Sequence, residues 1–311
     1  MSGMTTGAYR ELHERSSTDP ASFWGEAAEG IDWITKPTTV LDDSKPPFYR
    51  WFADGTLNTC YNALDRHVAN GRADQAAIHY ESPVTGTSRS YTYAELLEHV
   101  AKFAGALRNL GVTKGDRVVI YMPMIPEAVI AMLACARLGA IHSVVFGGFS
   151  ARELSTRIED AKPKVMVAGS CGIEPNRVVH YKPLLDQAIE MSNHKPQSCL
   201  VLRRPQEPGT MIDGRDFDWD EAMAAAQPHA CVSVAATDPL YILYTSGTTG
   251  LPKGVVRDNG GHAVAMHWSM KNLYAMEPGE VFWAASDVGW VVGPVSYTHL
   301  RAHETDSYLV C

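Results

Sequence analysis

From Leu57 onward the chain alternates between two kinds of block. Short apolar runs, Ala76 to Tyr80, Val118 to Tyr121, Ile141 to Phe146 and Val165 to Ala168, read as strands. Longer stretches between them carry helix signals. Thr92-x-x-Glu95 is a capping box opening an amphipathic helix to Leu110, which Gly111 stops. Pro126 starts a helix that runs to Leu138, and Ser150-x-x-Glu153 caps another. Arg89 to Tyr93 answers Ala76 to Tyr80 across Pro83-Val84-Thr85-Gly86, a hairpin signal. Strand, helix, strand in this order implies a parallel pair with a right-handed crossover. The fold class is therefore α/β, with layered parallel or mixed sheets flanked by helices.

Residues 1–60 break that rhythm and read as an N-terminal extension. Asp19-Pro20 is a helix start, and Trp24, Trp33, Phe48, Tyr49, Trp51 and Phe52 lie among Pro37, Pro46 and Pro47. Such a segment wraps over a larger body and uses its aromatics as packing anchors. Gln197 to Pro228 reads as solvated surface, with the charge clusters Arg203-Arg204 and Asp213 to Asp220 and a short helix from Trp219 to Ala226. Past Asp238-Pro239 the pattern gives a strand at Tyr241 to Tyr244, a second at Val255-Val256, a helix from Gly260 to Tyr274 and a strand at Glu280 to Ala284.

The candidate chemistry follows the Tyr241 strand. There the chain changes from apolar residues to TSGTTGLPKG. Gly247 and Gly250 let backbone N–H groups approach an anion closely. Thr245, Ser246, Thr248 and Thr249 add hydroxyl donors, and Lys253 adds a mobile positive charge. A phosphate chain fits these groups. The pattern is not the Walker loop, because Lys253 follows Pro252 rather than a glycine. Gly147-Gly148 ahead of the Ser150 cap has two readings, a turn facing a ligand phosphate or a tight strand-to-helix turn. Glu174-Pro175-Asn176-Arg177 reads as a loop.

Composition narrows the partners. With 27 basic against 35 acidic residues the formal charge is −8, and no Lys/Arg run points to nucleic acid or an anionic membrane. The six cysteines are scattered without a C-x-x-C pair, which suits reduced thiols in a cytosolic chain. The N-terminus lacks an apolar signal core, so a cytoplasmic location is expected. The longest apolar run, Ala128 to Phe149, is interrupted by Arg137, Gly139 and His142 and reads as helix then strand. No metal site is expected. His262 and His267 do not share a helical face, and His299 and His303 lack a third ligand.

TSGTTGLPKG closely resembles the phosphate-binding signature of the acyl-adenylate-forming ligases. The E-P-x-R segment, the FGGFS turn at Phe146 to Ser150 and Asp287-Val288-Gly289-Trp290-Val291-Val292-Gly293 resemble the short-chain acyl-CoA synthetases, with all motifs in family order over residues 9 to about 293. The resemblance implies ATP-dependent activation of propionate or acetate through an acyl-adenylate to the CoA thioester, with ATP, Mg2+ and CoA as cofactors and no nucleic-acid or membrane partner. It assigns the ATP phosphates to Thr245, Ser246, Gly247, Thr248, Thr249, Gly250 and Lys253, with Lys253 also the pyrophosphate contact. It assigns CoA phosphates to Arg177, with Glu174, Pro175 and Asn176 beside it, the acyl pocket to Trp290 and Val291, and the CoA channel to Val292. VVRDNGGHAVAMHWSM and Val292 resemble the propionyl type more than the acetyl type.

Three segments are expected: the extension at 1–60, an adenylate-forming large domain at 61–293, incomplete at its end, and a tail at 294–311. The tail, PVSYTHLRAHETDSYLVC, departs from the family pattern, has no strand or helix periodicity and resembles translated adapter sequence. The expectation is an N-terminal ligase fragment, inactive by itself; the alternative is a non-catalytic nucleotide- or CoA-binding fragment.

Overall fold

The computed structural model describes residues 6–245, 252–283, 286–290 and 309–310. Its centre is a seven-stranded sheet. The spatial order is Asp216–Asp218, Ser198–Leu202, Val165–Gly169, Arg117–Tyr121, Ile141–Val144, Pro239–Thr245 and Lys253–Asp258. The first six strands are mutually parallel, and only Lys253–Asp258 runs antiparallel to its neighbour.

Side chains along a strand point alternately to opposite faces, and here both faces are covered. Val118, Ile120, Val165, Val167 and Leu200 face one apolar core, packed by the helices Tyr93–Asn109 and Pro126–Leu138. Val119, Tyr121, Met166, Ala168 and Val201 face the other, packed by Ala151–Ala161 and Tyr181–Met191. Two-sided burial is why these strands read as continuous apolar runs.

The local signals act as their chemistry requires. Thr92 and Glu95 form both halves of the capping box, and Asp19 caps Pro20–Ala28 by accepting from Ser22 N–H. Gly139, at φ 67°, ends Pro126–Leu138 in the left-handed region. Ala76–Ser82 and Thr87–Thr92 form the predicted hairpin, and Leu309–Val310 pairs antiparallel with His79 and Tyr80.

Four expectations need correcting. Glu174-Pro175-Asn176-Arg177 is not an open loop. Cys171–Glu174 and Arg177–His180 form an antiparallel hairpin, and Pro175-Asn176 is its turn. Residues 197–228 are not all solvated surface, because Ser198–Leu202 is a buried strand of the main sheet. Within the acidic cluster, Asp216 has a fully buried side chain 2.9 Å from the ammonium of buried Lys182, and Arg215 joins the same network. Paired charges can be buried where lone ones cannot. Glu280 to Trp283 forms no strand, and Ala284 lies outside the described residues. In the extension, Phe23, Trp24, Trp51 and Phe52 do pack, with Trp268 stacked edge-on to both Phe23 and Trp24, but Phe48 and Tyr49 are exposed.

One helix glycine is explained by crossing chain. A Cβ at Gly105 would sit 1.9 Å from the carbonyl oxygen of Gln227, where residues 226–229 run over the Tyr93–Asn109 helix. Gly105→Ala should therefore destabilise the protein by about 2 kcal/mol or more, through overpacking that outweighs the usual gain of alanine in a helix. Urea unfolding checks this, and an unchanged midpoint would show that the crossing chain yields freely.

Candidate functional site

Three of the sequence-derived candidate segments follow strands at one edge of the sheet. Phe146–Phe149 follows the Ile141–Val144 strand, the hairpin at 171–180 follows Val165–Gly169, and the TSGTTG stretch follows Pro239–Thr245. These are the carboxyl ends of parallel strands, where open α/β sheets bind ligands.

At the hairpin, Thr245 lies opposite Lys253 in the last pair of the ladder, and its Oγ1 is 3.5 Å from the Lys253 carbonyl. Lys253 is exposed. Ser246, Gly247, Thr248, Thr249 and Gly250 lie outside the described residues. The strand below is anchored on both faces. Tyr241 packs against His142 and His262, while the Tyr244 hydroxyl donates to Asp160 at 2.6 Å under the Arg157 guanidinium. Burial, then the Asp160 contact, pushes the Tyr244 phenol well above its ordinary range. The aromatic strand holds the two hairpin arms at fixed separation, so the connecting loop starts from defined ends.

The Gly147-Gly148 question resolves toward packing. A Cβ at Gly147 would sit 2.0 Å from the Tyr181 hydroxyl, and one at Gly172 would sit 2.7 Å from it. Tyr181 fills the space both glycines leave, with Tyr121 stacked 4.9 Å away. The Tyr121 hydroxyl donates to the Phe149 carbonyl at 3.0 Å and fixes the turn from beneath. From sequence Tyr121 reads as the end of an ordinary strand, and Tyr181 carries no signal of its own. In the structure, two glycines without a left-handed φ mark where a large side chain approaches.

Asp287–Trp290 docks on that turn. Gly289 approaches so closely that a Cβ would meet the Phe146 backbone nitrogen at 3.0 Å. Trp290 lies 5.9 Å from the Phe146 ring and 6.2 Å from the Phe149 ring, forming an aromatic wall that is half exposed. Val291 and Val292 lie outside the described residues. Asp287 accepts from Gly289 N–H at 2.7 Å. Burial pushes its carboxyl up to about 6, against that hydrogen bond. Asp287 had no assigned role from sequence, though an aspartate two residues before a glycine is a known turn signal.

Glu174 and Arg177 meet across the hairpin turn, Nε to Oε2, at 2.7 Å. Both are exposed, and the arginine hydrogen bond holds the Glu174 carboxyl below its usual range. Pro175 and Asn176 form the turn between them. The hairpin and the Phe146–Phe149 turn share Tyr181 as a common wall. Lys253 rises from a strand on the far side of Ile141–Val144.

Among the described residues, one group has metal-ligand spacing: Cys60, Asp65 and Cys231, within 4.8 Å of one another. Arg137 already serves it, donating to Asp65 at 2.7 Å and to Cys231 at 3.1 Å. A guanidinium in that position supplies the positive charge a metal would bring.

The partly buried Asp287 makes stability depend on pH. Its folded value lies above the ordinary 3.8, so between the two the native state binds more protons than the unfolded state. Stability falls as pH rises through that window, and the full cost, on the order of 3 kcal/mol, is present above pH 6. Asp287→Asn should flatten the pH dependence of unfolding between about pH 4 and 6. Denaturant titrations at a series of pH values check this, and parallel curves for the two proteins would refute it.

Comparison with known proteins matches this geometry. A family model described as acetyl-coenzyme A synthetase N-terminus matches residues 9–63, and one described as AMP-binding enzyme matches residues 64–302. The mitochondrial acyl-CoA synthetase short-chain family member 3 of Homo sapiens is 57% identical over 286 residues, covering 92% of this chain and 42% of that protein. The acetyl-coenzyme A synthetase of Pasteurella multocida is 45% identical over 296 residues, covering 94% and 45%. The solved acetoacetyl-CoA synthetase from Streptomyces lividans superposes with a TM-score of 0.87 at 29% identity, over 98% of this chain and 47% of that one. The chain thus spans less than half the length of these relatives. Among the described residues no helix is long and apolar enough to cross a membrane.

Proposed function

Because the chain belongs to the AMP-binding enzyme family, we propose that the full-length ligase containing this span activates a short-chain carboxylate as its acyl-adenylate and transfers the acyl group to CoA. The observation that carries this reading is the hairpin at the carboxyl edge, whose ladder ends on the Thr245–Lys253 pair just where the hydroxyl- and glycine-rich stretch begins. In the first half-reaction a carboxylate oxygen attacks the α-phosphorus of ATP, and the bond to pyrophosphate breaks. Charge builds on the departing phosphates, and this is where donors fixed in advance contribute most. Lys253, with Thr245, Ser246, Thr248, Thr249 and the backbone N–H groups of Gly247 and Gly250, is assigned to hold them. In the second half-reaction the CoA sulfur attacks the acyl carbon and AMP leaves. Mg2+ would enter on the nucleotide phosphates, and hydroxyl oxygens suit so hard a cation.

Arg177 is assigned to the CoA phosphates. Its pairing with Glu174 keeps the guanidinium at the hairpin tip, and a phosphate has to displace or share that partner. Pro175 and Asn176 set the turn. Trp290, braced by Phe146 and Phe149, is assigned with Val291 to the acyl pocket, and Val292 to the thiol channel. The proposed division places an extension through residue 60 ahead of a ligase domain, and the two pack together through a small core in which Ile31, Phe52 and Leu57 meet Val234 and Val264. A cytoplasmic location is supported by the five described cysteines, which are all unpaired.

Propionate is favoured over acetate, supported by the resemblance of VVRDNGGHAVAMHWSM and Val292 to the propionyl type. One methylene in an apolar pocket is worth roughly 10- to 200-fold in kcat/KM. Propionate should accordingly exceed acetate by about tenfold or more in carboxylate-dependent ATP–pyrophosphate exchange by the full-length enzyme. Lys253→Ala should reduce that exchange by about 100-fold. Equal rates for Lys253→Ala and the parent would remove the pyrophosphate role, and an acetate preference would remove the propionate assignment.

A further inference from the structure

A cavity of ≈ 230 Å³ lies between the extension, the segment 66–75 around the wide helical turn Val68–Arg72, and the Gly260–Asn272 helix. It is far from neutral. Arg66, Arg72, His67 and His267 line it, with Asn70 and Gln75 as further amide donors, against one carboxylate, Asp32. The chain is shaped to present these groups. At Asn70 and Gly71 the backbone leaves helical geometry, with Gly71 at φ 80°, and Arg72 follows immediately. Gly30 is where His267 enters, since a Cβ there would sit 2.4 Å from the imidazole.

The two guanidiniums are incompletely answered. The Arg66 side chain is only 11% exposed, and its Nη1 donates to the Gly30 carbonyl at 2.8 Å and to Asn62 at 3.2 Å. Asp32 stands 3.7 Å away and is itself half exposed. The buried Arg66 Nε has no hydrogen-bond partner. Burial lowers the Arg66 pKa, Asp32 opposes this, and the like charge of Arg72 adds to it. Among the described residues the hydrogen-bond partner of Arg72 is the His67 Nδ1, at 3.4 Å. A buried donor without an acceptor beside a second cation is the signature of a missing anion. Guanidiniums present planar donor pairs that match tetrahedral oxyanions. At about 30 Å³ per water the space corresponds to roughly eight waters, enough for one phosphate group and its hydration.

We propose that this cavity is a binding site for a small phosphate-bearing anion, separate from the Thr245–Lys253 hairpin and held chiefly by Arg66 and Arg72. The donors for such an anion all come from the body of the protein, with Gly30 and Asp32 of the extension lining the opposite side. Binding to the native state alone would then raise thermal stability.

The test is thermal unfolding and calorimetry of the full chain with inorganic phosphate, and with sodium chloride at matched ionic strength. Phosphate should raise Tm in the parent and in Lys253→Ala, while Arg72→Gln should weaken phosphate binding by about tenfold or more. Chloride should leave Tm unchanged. The proposal is overturned if phosphate leaves the parent Tm unchanged, if Arg72→Gln binds phosphate as the parent does, or if Lys253→Ala abolishes the effect. An equal response to chloride would also overturn the phosphate assignment. Arg66→Gln removes bonds to Gly30 and Asn62 and threatens folding, so Arg72→Gln carries the decision.

Discussion

Each parallel strand buries both of its faces, and a strand so placed can be reached only by a crossover that runs the length of the sheet and returns. The helices Pro126–Leu138 and Ala151–Ala161 are such crossovers. Every departure from a strand therefore happens at the same edge, and every return at the other. The Phe146–Phe149 turn, the 171–180 hairpin and the Thr245–Lys253 hairpin are neighbours for this reason, although they are scattered over about a hundred residues of sequence. Topology assembles the site, and local chemistry decides what each departure presents.

The site's rigidity comes from aromatic residues behind it. Tyr121 and Tyr181 stack under the Phe146–Phe149 turn, Trp290 leans on it from outside, and Tyr244 is tethered to Asp160 under the sheet's second face. These contacts bury ring area and satisfy hydroxyls together, a combination tyrosine allows and phenylalanine does not. Gly147, Gly172 and Gly289 are the matching voids. None of the three has a positive φ, so their common property is the missing side chain, not backbone freedom.

Much of this was legible in the sequence. The caps at Asp19, Thr92 and Ser150 act through bonds within a few residues, and so does the stop at Gly111. What was not legible depends on partners distant in sequence. Ser198–Leu202 shows no alternation because both its faces are buried, and its charged surroundings read as surface until Lys182 is seen beside Asp216. The 171–180 hairpin was hidden because Pro175-Asn176 suits an open loop equally well. Of the candidate site, the types of residue were readable. That Asp287 is partly withdrawn from solvent, and that Arg177 arrives already paired with Glu174, are facts of the folded state alone.

The antiparallel strand Lys253–Asp258 has a mechanical consequence. Among the described residues it is bonded along one side only, at the margin of the sheet, and its last rung is Thr245 against Lys253. That rung lies next to the connection between the two strands, so the ladder behind it, braced by Tyr241 and Tyr244, fixes the root from which the Lys253 side chain reaches outward at the sheet's margin.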